Sequence, residues 1–279
     1  MIVRCWGSRG SIAVSGRQYV AYGGDTTCLQ ITAGSGETVI VDAGTGIRRL
    51  GKFLLEKNIS RYYMLQTHCH WDHLLGFPFF KPLLHRQNQL IIQNRAFGRA
   101  TLKDVFEQMM SPPFFPIRLA ELQADIQFDS GFNDRFNIGS LQIDSIPTSH
   151  SAGTLGYRFK ENGSTFVFLT DNELGFDHPQ SRGVDAYQQF SMNADLLIHD
   201  AEYTQNEYRR RKGWGHSSIP HVLDLALKAG VGQLGLTHLN KDRTDMEMDA
   251  IVKEGNLFFS SRNSKTRCFG VACDLEIVL

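Results

Sequence analysis

The segment that most narrows what this chain can fold into is Thr67-His68-Cys69-His70-Trp71-Asp72-His73, where four groups able to bind a metal, His68, His70, Asp72 and His73, fall within six residues. Imidazole nitrogen and carboxylate oxygen together suit zinc, iron or manganese. The segment just before it, Tyr62 to Gln66, reads as a strand, so the cluster sits on a loop at a strand's C-terminal end, where sites on α/β sheets tend to form. A polar surface loop is a poor alternative account, since three of the chain's ten histidines stand in this window.

One loop cannot close two metal sites, so further ligands must come from other strand ends. His150 follows Ser145-Ile146-Pro147-Thr148-Ser149, Asp171 follows Phe166-Val167-Phe168-Leu169-Thr170, and His238 follows Leu234-Gly235-Leu236-Thr237. Each alone could be a capping or core residue. With the loop they make five histidines and two aspartates, enough for two metals bridged by a carboxylate. Metal pairs roughly 3.5–4 Å apart activate water and clamp an in-line displacement.

Around these residues, periodicity predicts strands at Ile2 to Trp6, Leu29 to Ala33 and Thr38 to Asp42, then an amphipathic helix from Gly46 to Lys57 on Ile47, Leu50, Phe53 and Leu54. A helix at Leu102 to Met110 precedes Ser111-Pro112-Pro113-Phe114-Phe115-Pro116, an irregular flap whose prolines forbid a continuing helix. Strands follow near Ile126 to Phe128, Leu141 to Ile146, Gly156 to Lys160 and Thr165 to Leu169. The end alternates strand Leu196 to His199, helix Ile219 to Ala229, strand Gln233 to Thr237, helix Asp245 to Glu254 and strand Cys268 to Val278. Two runs of strands with outer helices and no linker imply an α+β fold, one four-layer αββα sandwich over residues 1–279, with an insertion or flap near residues 86–125.

Charge excludes some partners. Lys plus Arg and Asp plus Glu are each 29, so no overall positive field gathers long nucleic acid by counterion release. No apolar run approaches the roughly 20 residues that span a bilayer, and no signal-peptide pattern follows Met1. Five scattered cysteines without a CxxC pair read as reduced thiols of a cytoplasmic protein. The oligomeric state stays open.

With its HxHxDH stretch at His68 to His73, Asp-Ala-Gly-Thr-Gly at Asp42 to Gly46 and the later ligands in matching order, nearly the whole chain resembles the metallo-β-lactamase superfamily. The resemblance implies that fold, and implies two divalent ions, zinc foremost with manganese or iron as alternatives. His68, His70 and His150 would hold the first, Asp72, His73 and His238 the second, with Asp171 bridging. Asp42 would orient the metal loop from behind, or serve as a strand-end turn residue.

Two further stretches resemble the ribonuclease Z and phosphodiesterase-like branch: His199-Asp200-Ala201-Glu202-Tyr203 its His-Glu-Ala-Thr element, and Gly215-His216-Ser217-Ser218 its His-Ser-Thr element. By position, Asp200 would steady His216, the acid that assists phosphate cleavage, although Glu202 two residues on competes for that place. His216 as a plain helix N-terminal residue is the alternative. Gly7-Ser8-Arg9-Gly10-Ser11 and Tyr22 to Cys28 look like the N-terminus of bacterial members, where Arg9 could pair with a phosphate or these segments could be structural turns.

Departures from the pattern narrow the expectation. Zinc β-lactamases carry Cys or His where Asp171 stands, and the transfer-RNA-processing enzymes carry a glycine-rich basic arm for which this chain has no counterpart. The resemblance thus implies a phosphodiesterase acting on a small or cyclic phosphodiester, with Asp72, Asp200 and His216 catalytic. An RNA 3′-end nuclease and a thioester or lactone hydrolase are the rivals; a scaffold would be expected to have lost ligands. Phe114 or Phe115 would line the substrate entrance, unless both rings plug the core or a subunit interface.

Overall fold

The computed structural model describes residues 1–150 and 153–279. Its first half holds β1 (Ile2–Gly7), β2 (Cys28–Thr32), β3 (Thr38–Val41), α1 (Ile47–Glu56), β4 (Arg61–Leu65), α2 (Trp71–Leu74), β5 (Gln89–Gln93), the small hairpin β6 (Ala96–Phe97) and β7 (Ala100–Thr101), α3 (Leu102–Met109) and β8 (Asp125–Asp129). The second holds β9 (Arg135–Ile138), β10 (Leu141–Pro147), β11 (Leu155–Glu161), β12 (Ser164–Leu169), α4 (Val184–Phe190), β13 (Leu196–Asp200), α5 (Gln205–Tyr208), α6 (Ile219–Ala229), β14 (Gln233–Thr237), α7 (Asp245–Ser260), β15 (Arg267–Gly270) and β16 (Glu276–Val278).

These strands form two seven-stranded sheets, ordered β16-β1-β2-β3-β4-β5-β8 and β15-β14-β13-β12-β11-β10-β9. Each is antiparallel on one side and parallel on the other, β3 to β8 in the first and β12 to β15 in the second. Alternation along the strands sorts side chains between layers. Val39 and Val41 of β3 and Phe166 and Phe168 of β12 meet in the core between the sheets. Ile40 instead faces Leu50 and Leu54 of α1, and Val167 faces the side covered by Val222 and Ala226 of α6. The result is the αββα sandwich, in which each fully buried Val, Leu, Ile or Phe contributes about 1.5–3 kcal/mol.

Three departures from the sequence reading have local causes. The expected flap near 86–125 begins too early, because Gln89–Gln93 is β5, hydrogen-bonded between β4 and β8 inside the first sheet. The expected strand Cys268 to Val278 divides: β15 pairs with β14 in the second sheet, β16 with β1 in the first, and Asp274 between them takes a left-handed φ of 68°. The last helix runs beyond Glu254 to Ser260, because Gly255 is buried inside it, where a Cβ would lie 2.8 Å from the Cys268 sulfur. That glycine allows close packing and does not end the helix. No helix among the described residues is long and apolar enough to cross a membrane.

Candidate metal centre

The parallel strands of both sheets deliver the site from their C-terminal ends. Asp42 leaves β3, Thr67 and His68 leave β4, Asp171 leaves β12, Asp200 ends β13 and His238 leaves β14. Asp42, Asp171 and His238 have left-handed φ values of 64°, 48° and 53°, a backbone state that non-glycine residues rarely adopt and that clusters at functional sites. His70 caps α2, which places Asp72 and His73 in its first turn. The Gln66 amide fixes the loop by donating to the carbonyls of His68 and His73, both at 2.9 Å.

Two ligand sets result. Ligand atoms of His68, His70, His150 and Asp171 all lie within 4.8 Å of one another, as do those of Asp72, His73 and His238. Asp171 stands between the sets. Its Oδ1 is 3.6 Å from His68 Nε2, 3.7 Å from His150 Nε2 and 3.4 Å from His238 Nε2, while Oδ2 is 3.2 Å from His73 Nε2. That is the reach a bridging carboxylate needs. Asp72 Oδ2 lies 3.1 Å from His238 Nε2 and 3.4 Å from His73 Nε2, and accepts the Ser11 N–H at 2.8 Å.

Hydrogen bonds from behind set which nitrogen faces inward. His73 donates from Nδ1 to Asp42 at 2.7 Å, His150 from Nδ1 to the Gly215 carbonyl at 3.0 Å, and His238 from Nδ1 to Glu202 at 2.9 Å. Asp42 thus stands behind His73, and it also accepts from Thr67 N–H at 2.7 Å. Among the described residues the Nε2 atoms of His68 and His73 are buried without a hydrogen-bond partner, an arrangement that suits metal ligation.

Electrostatics agree. Burial, with the neighbouring His73, pushes His68 well below the ordinary histidine range, and burial takes His150 down to about 3, so both offer neutral nitrogen. Burial would also lower His73 and His238, but the carboxylates of Asp72, Asp171, Asp42 and Glu202 outweigh it and raise both. Burial raises Asp72 and Asp171, and the surrounding histidines more than reverse it, so both stay ionised. Such a cluster of buried carboxylates calls for positive charge, which divalent cations bound there would supply in place of the histidine protons.

Beside the two sets lies His216, stacked on His238 with ring centroids 4.4 Å apart. Its Nδ1 is 2.7 Å from Asp200 Oδ2 and its Nε2 is 3.7 Å from Glu202. The competition between the two acids is thus resolved: Asp200 holds His216, whereas Glu202 holds His238. Burial lowers the His216 pKa, but the Asp200 charge prevails and raises it. His216, Asp171 and His238 also lie close enough to share a cation, yet the His216 nitrogen nearest Asp171, at 3.9 Å, is the one bonded to Asp200.

Arg9 does not serve as a phosphate contact. It is 1% exposed, and its guanidinium donates to the carbonyls of Gly23 at 2.8 Å, Asn240 at 3.2 Å and Arg243 at 2.8 Å. Phe115 is half-buried: it packs edge-on against the exposed Phe79, 5.8 Å between centroids, at the margin of the core under α1 and α3. Phe114 is 68% exposed. Sequence reasoning missed Glu173, whose buried carboxylate ties three segments together, and the exposed Trp71 and Trp214, which neighbour the ligand loop and His216 in the chain.

Comparison with known proteins places this geometry. Residues 37–239 match the β-lactamase superfamily domain, and the chain belongs to that family. It is a metal-dependent hydrolase of the superfamily, and its curated relatives include ribonuclease Z proteins. Ribonuclease Z of Haloarcula marismortui is 24% identical over 271 residues, covering 78% of this chain and 82% of that protein. Among solved structures, the metallo-β-lactamase fold protein YhfI from Bacillus subtilis superposes with a TM-score of 0.69 at 17% identity, covering 99% of this chain and 98% of that one. A diphosphatase of the PhnP family gives 0.67 at 17% identity, covering 100% and 97%.

Proposed function

We propose that this hydrolase cleaves a small or cyclic phosphodiester at the two-set centre, and the observation that carries the reading is the His216–Asp200 pair beside the ligands. His68, His70, His150 and Asp171 would hold one divalent cation, and Asp72, His73 and His238, sharing Asp171, the other, with zinc foremost and manganese or iron as alternatives. Bound there, the cations supply Lewis acidity for the phosphoryl oxygens and make water acidic enough to react near neutral pH. Asp72 orients the attacking water. As its oxygen bonds to phosphorus and the leaving P–O bond breaks, protonated His216 gives its Nε2 proton to the leaving oxygen, while Asp200 holds Nδ1 and stabilises the cationic ring before transfer. A thioester hydrolase, whose thiolate leaves unaided, has no need of such an acid.

Balanced charge supports a small substrate, as does the lack in this sequence of a glycine-rich basic arm. The exposed rings of Trp71, Trp214 and Phe114 supply surfaces on which a nucleobase could stack. The five cysteines are free thiols, in keeping with a cytoplasmic setting. One observation favours a second reading, an RNA 3′-end nuclease: the curated relative is named ribonuclease Z. A panel of 2′,3′-cyclic nucleotides, bis(p-nitrophenyl) phosphate and a transfer-RNA precursor with a 3′ trailer separates them. Turnover of the small diesters with an intact precursor is expected; efficient precursor cleavage with inert cyclic nucleotides would replace the first reading by the second.

A further inference from the structure

Glu173 lies two residues past the bridging Asp171, buried, and every lone-pair direction of its carboxylate is used. Oε1 accepts from the Tyr208 hydroxyl at 2.8 Å and the Gly213 N–H at 2.7 Å, and Oε2 from the Gly215 N–H at 2.7 Å and His178 Nε2 at 2.8 Å. Its own N–H donates to the Ser149 carbonyl at 2.9 Å, one residue before His150.

Gly215 is the junction. Its N–H is held by Glu173, its carbonyl holds the Nδ1–H of His150, and the next residue in the chain is His216. Its φ is 93°, and a Cβ there would fall 1.9 Å from His150 Nδ1, so the peptide lies directly against the ligand ring. Ser217 ties the far side of the turn, donating from Oγ to the Asn172 carbonyl at 2.6 Å and accepting the Leu174 N–H at 3.0 Å. A charged carboxylate accepting two backbone N–H groups gives stronger and more directional bonds than a neutral acceptor would.

We propose that Glu173 is a positioning residue, whose carboxylate clamps the Gly213–Gly215 turn and through the Gly215 peptide sets both the ring of the ligand His150 and the placing of His216. The His216 half of this statement rests on the phosphodiesterase reading above; the His150 half does not. Glu173 touches no reacting atom. It acts because the turn, two glycines around the exposed Trp214, takes its geometry from the acceptor on which both glycine N–H groups close.

The test is Glu173→Gln, which keeps shape but turns an NH2 toward two of the four donors. Cobalt(II) is titrated into metal-free wild type and variant against a competing chelator, with the visible spectrum recorded and no turnover needed. The clamp predicts a 10- to 100-fold weaker affinity at one of the two sites and an altered spectrum in folded protein. It also predicts a larger rate loss for alkyl than for p-nitrophenyl esters. Should Glu173→Gln fail to fold, Glu173→Asp keeps the charge but draws the carboxylate back by one carbon, and the same weakening is expected. Wild-type cobalt affinity and spectrum in either folded variant, whatever the loss in thermal stability, would overturn the proposal. If the affinity falls but His216→Ala shows no leaving-group dependence, the phosphodiesterase mechanism fails while the clamp on His150 stands.

Discussion

Gly10 lies flat against the imidazole of His238: a Cβ on it would fall 2.1 Å from Nδ1 and 2.2 Å from Cε1. The ring has nowhere to retreat, since Glu202 holds Nδ1 and His216 stacks on its face. The Gly7 to Ser11 turn thus approaches a candidate metal ligand closely, and its next N–H, from Ser11, supports Asp72 of the same set. Gly10→Ala is expected to weaken the metal held by Asp72, His73 and His238 by tenfold or more, with an overpacking cost of about 1–3 kcal/mol in folding. Metal titration followed by chemical unfolding measures both, and two wild-type affinities in the variant would contradict this geometry.

Asp171 belongs to the first ligand set and reaches His73 and His238 of the second, so its loss should be felt by both. Asp171→Ala is expected to lower total metal content and abolish most activity, and elemental analysis of the dialysed protein reads the first directly. Fully loaded wild type with at most one metal per chain would exclude the two-metal reading.

What could be read ahead of the structure was what is written locally. The α6 boundaries, Ile219 to Ala229, follow from Pro220 in its first turn and the left-handed Gly230 that ends it, and both signals lie within the helix's own sequence. The ligands were legible because each stands where an apolar strand stops. Partners from distant segments were not: Glu202 reaches His238 across 36 positions and Glu173 reaches Gly215 across 42. β5 escaped notice because its five residues begin and end in glutamine, and Gly255 resembled a helix stop until Cys268 was seen packed against it.

Arg9 is a fold residue by its contacts, and its replacement should behave accordingly. Arg9→Ala strips donors from the part-buried carbonyls of Gly23, Asn240 and Arg243, a fully buried unmet acceptor costing about 1–3 kcal/mol. A fall of roughly 3 kcal/mol or more in unfolding free energy is expected, with the Michaelis constant of the folded fraction unchanged. A raised Michaelis constant at full stability would restore Arg9 to the substrate site.

The two phenylalanines of the flap should part company. Phe115→Ala removes a ring packed against Phe79 in a core cluster and is expected to lower stability, by somewhat less than the 3–5 kcal/mol or so of a fully buried ring because Phe115 is only half-buried. Phe114→Ala touches an exposed ring and should leave stability within about 0.5 kcal/mol. If Phe114 stacks on the substrate, the Michaelis constant for a nucleotide rises while that for bis(p-nitrophenyl) phosphate changes less; equal constants for wild type and variant on both substrates would remove Phe114 from the site.

In the proposed mechanism His216 is the acid, and that role has a signature that metal ligation lacks. In the ground state Asp200 keeps the ring oriented and raises its proton affinity, while Glu202 lies 3.7 Å from the other nitrogen. The proton matters most when the departing alkoxide is a poor leaving group. His216→Ala is therefore expected to retain both metals and to slow an alkyl phosphodiester by roughly 10²–10⁴-fold. Against p-nitrophenolate, which leaves without help, the loss should shrink. Asp200→Asn should follow the same pattern more weakly, because it keeps the histidine but removes the charge that holds its proton. Equal losses on both leaving groups, or the disappearance of one metal from His216→Ala, would move His216 from proton donor to ligand.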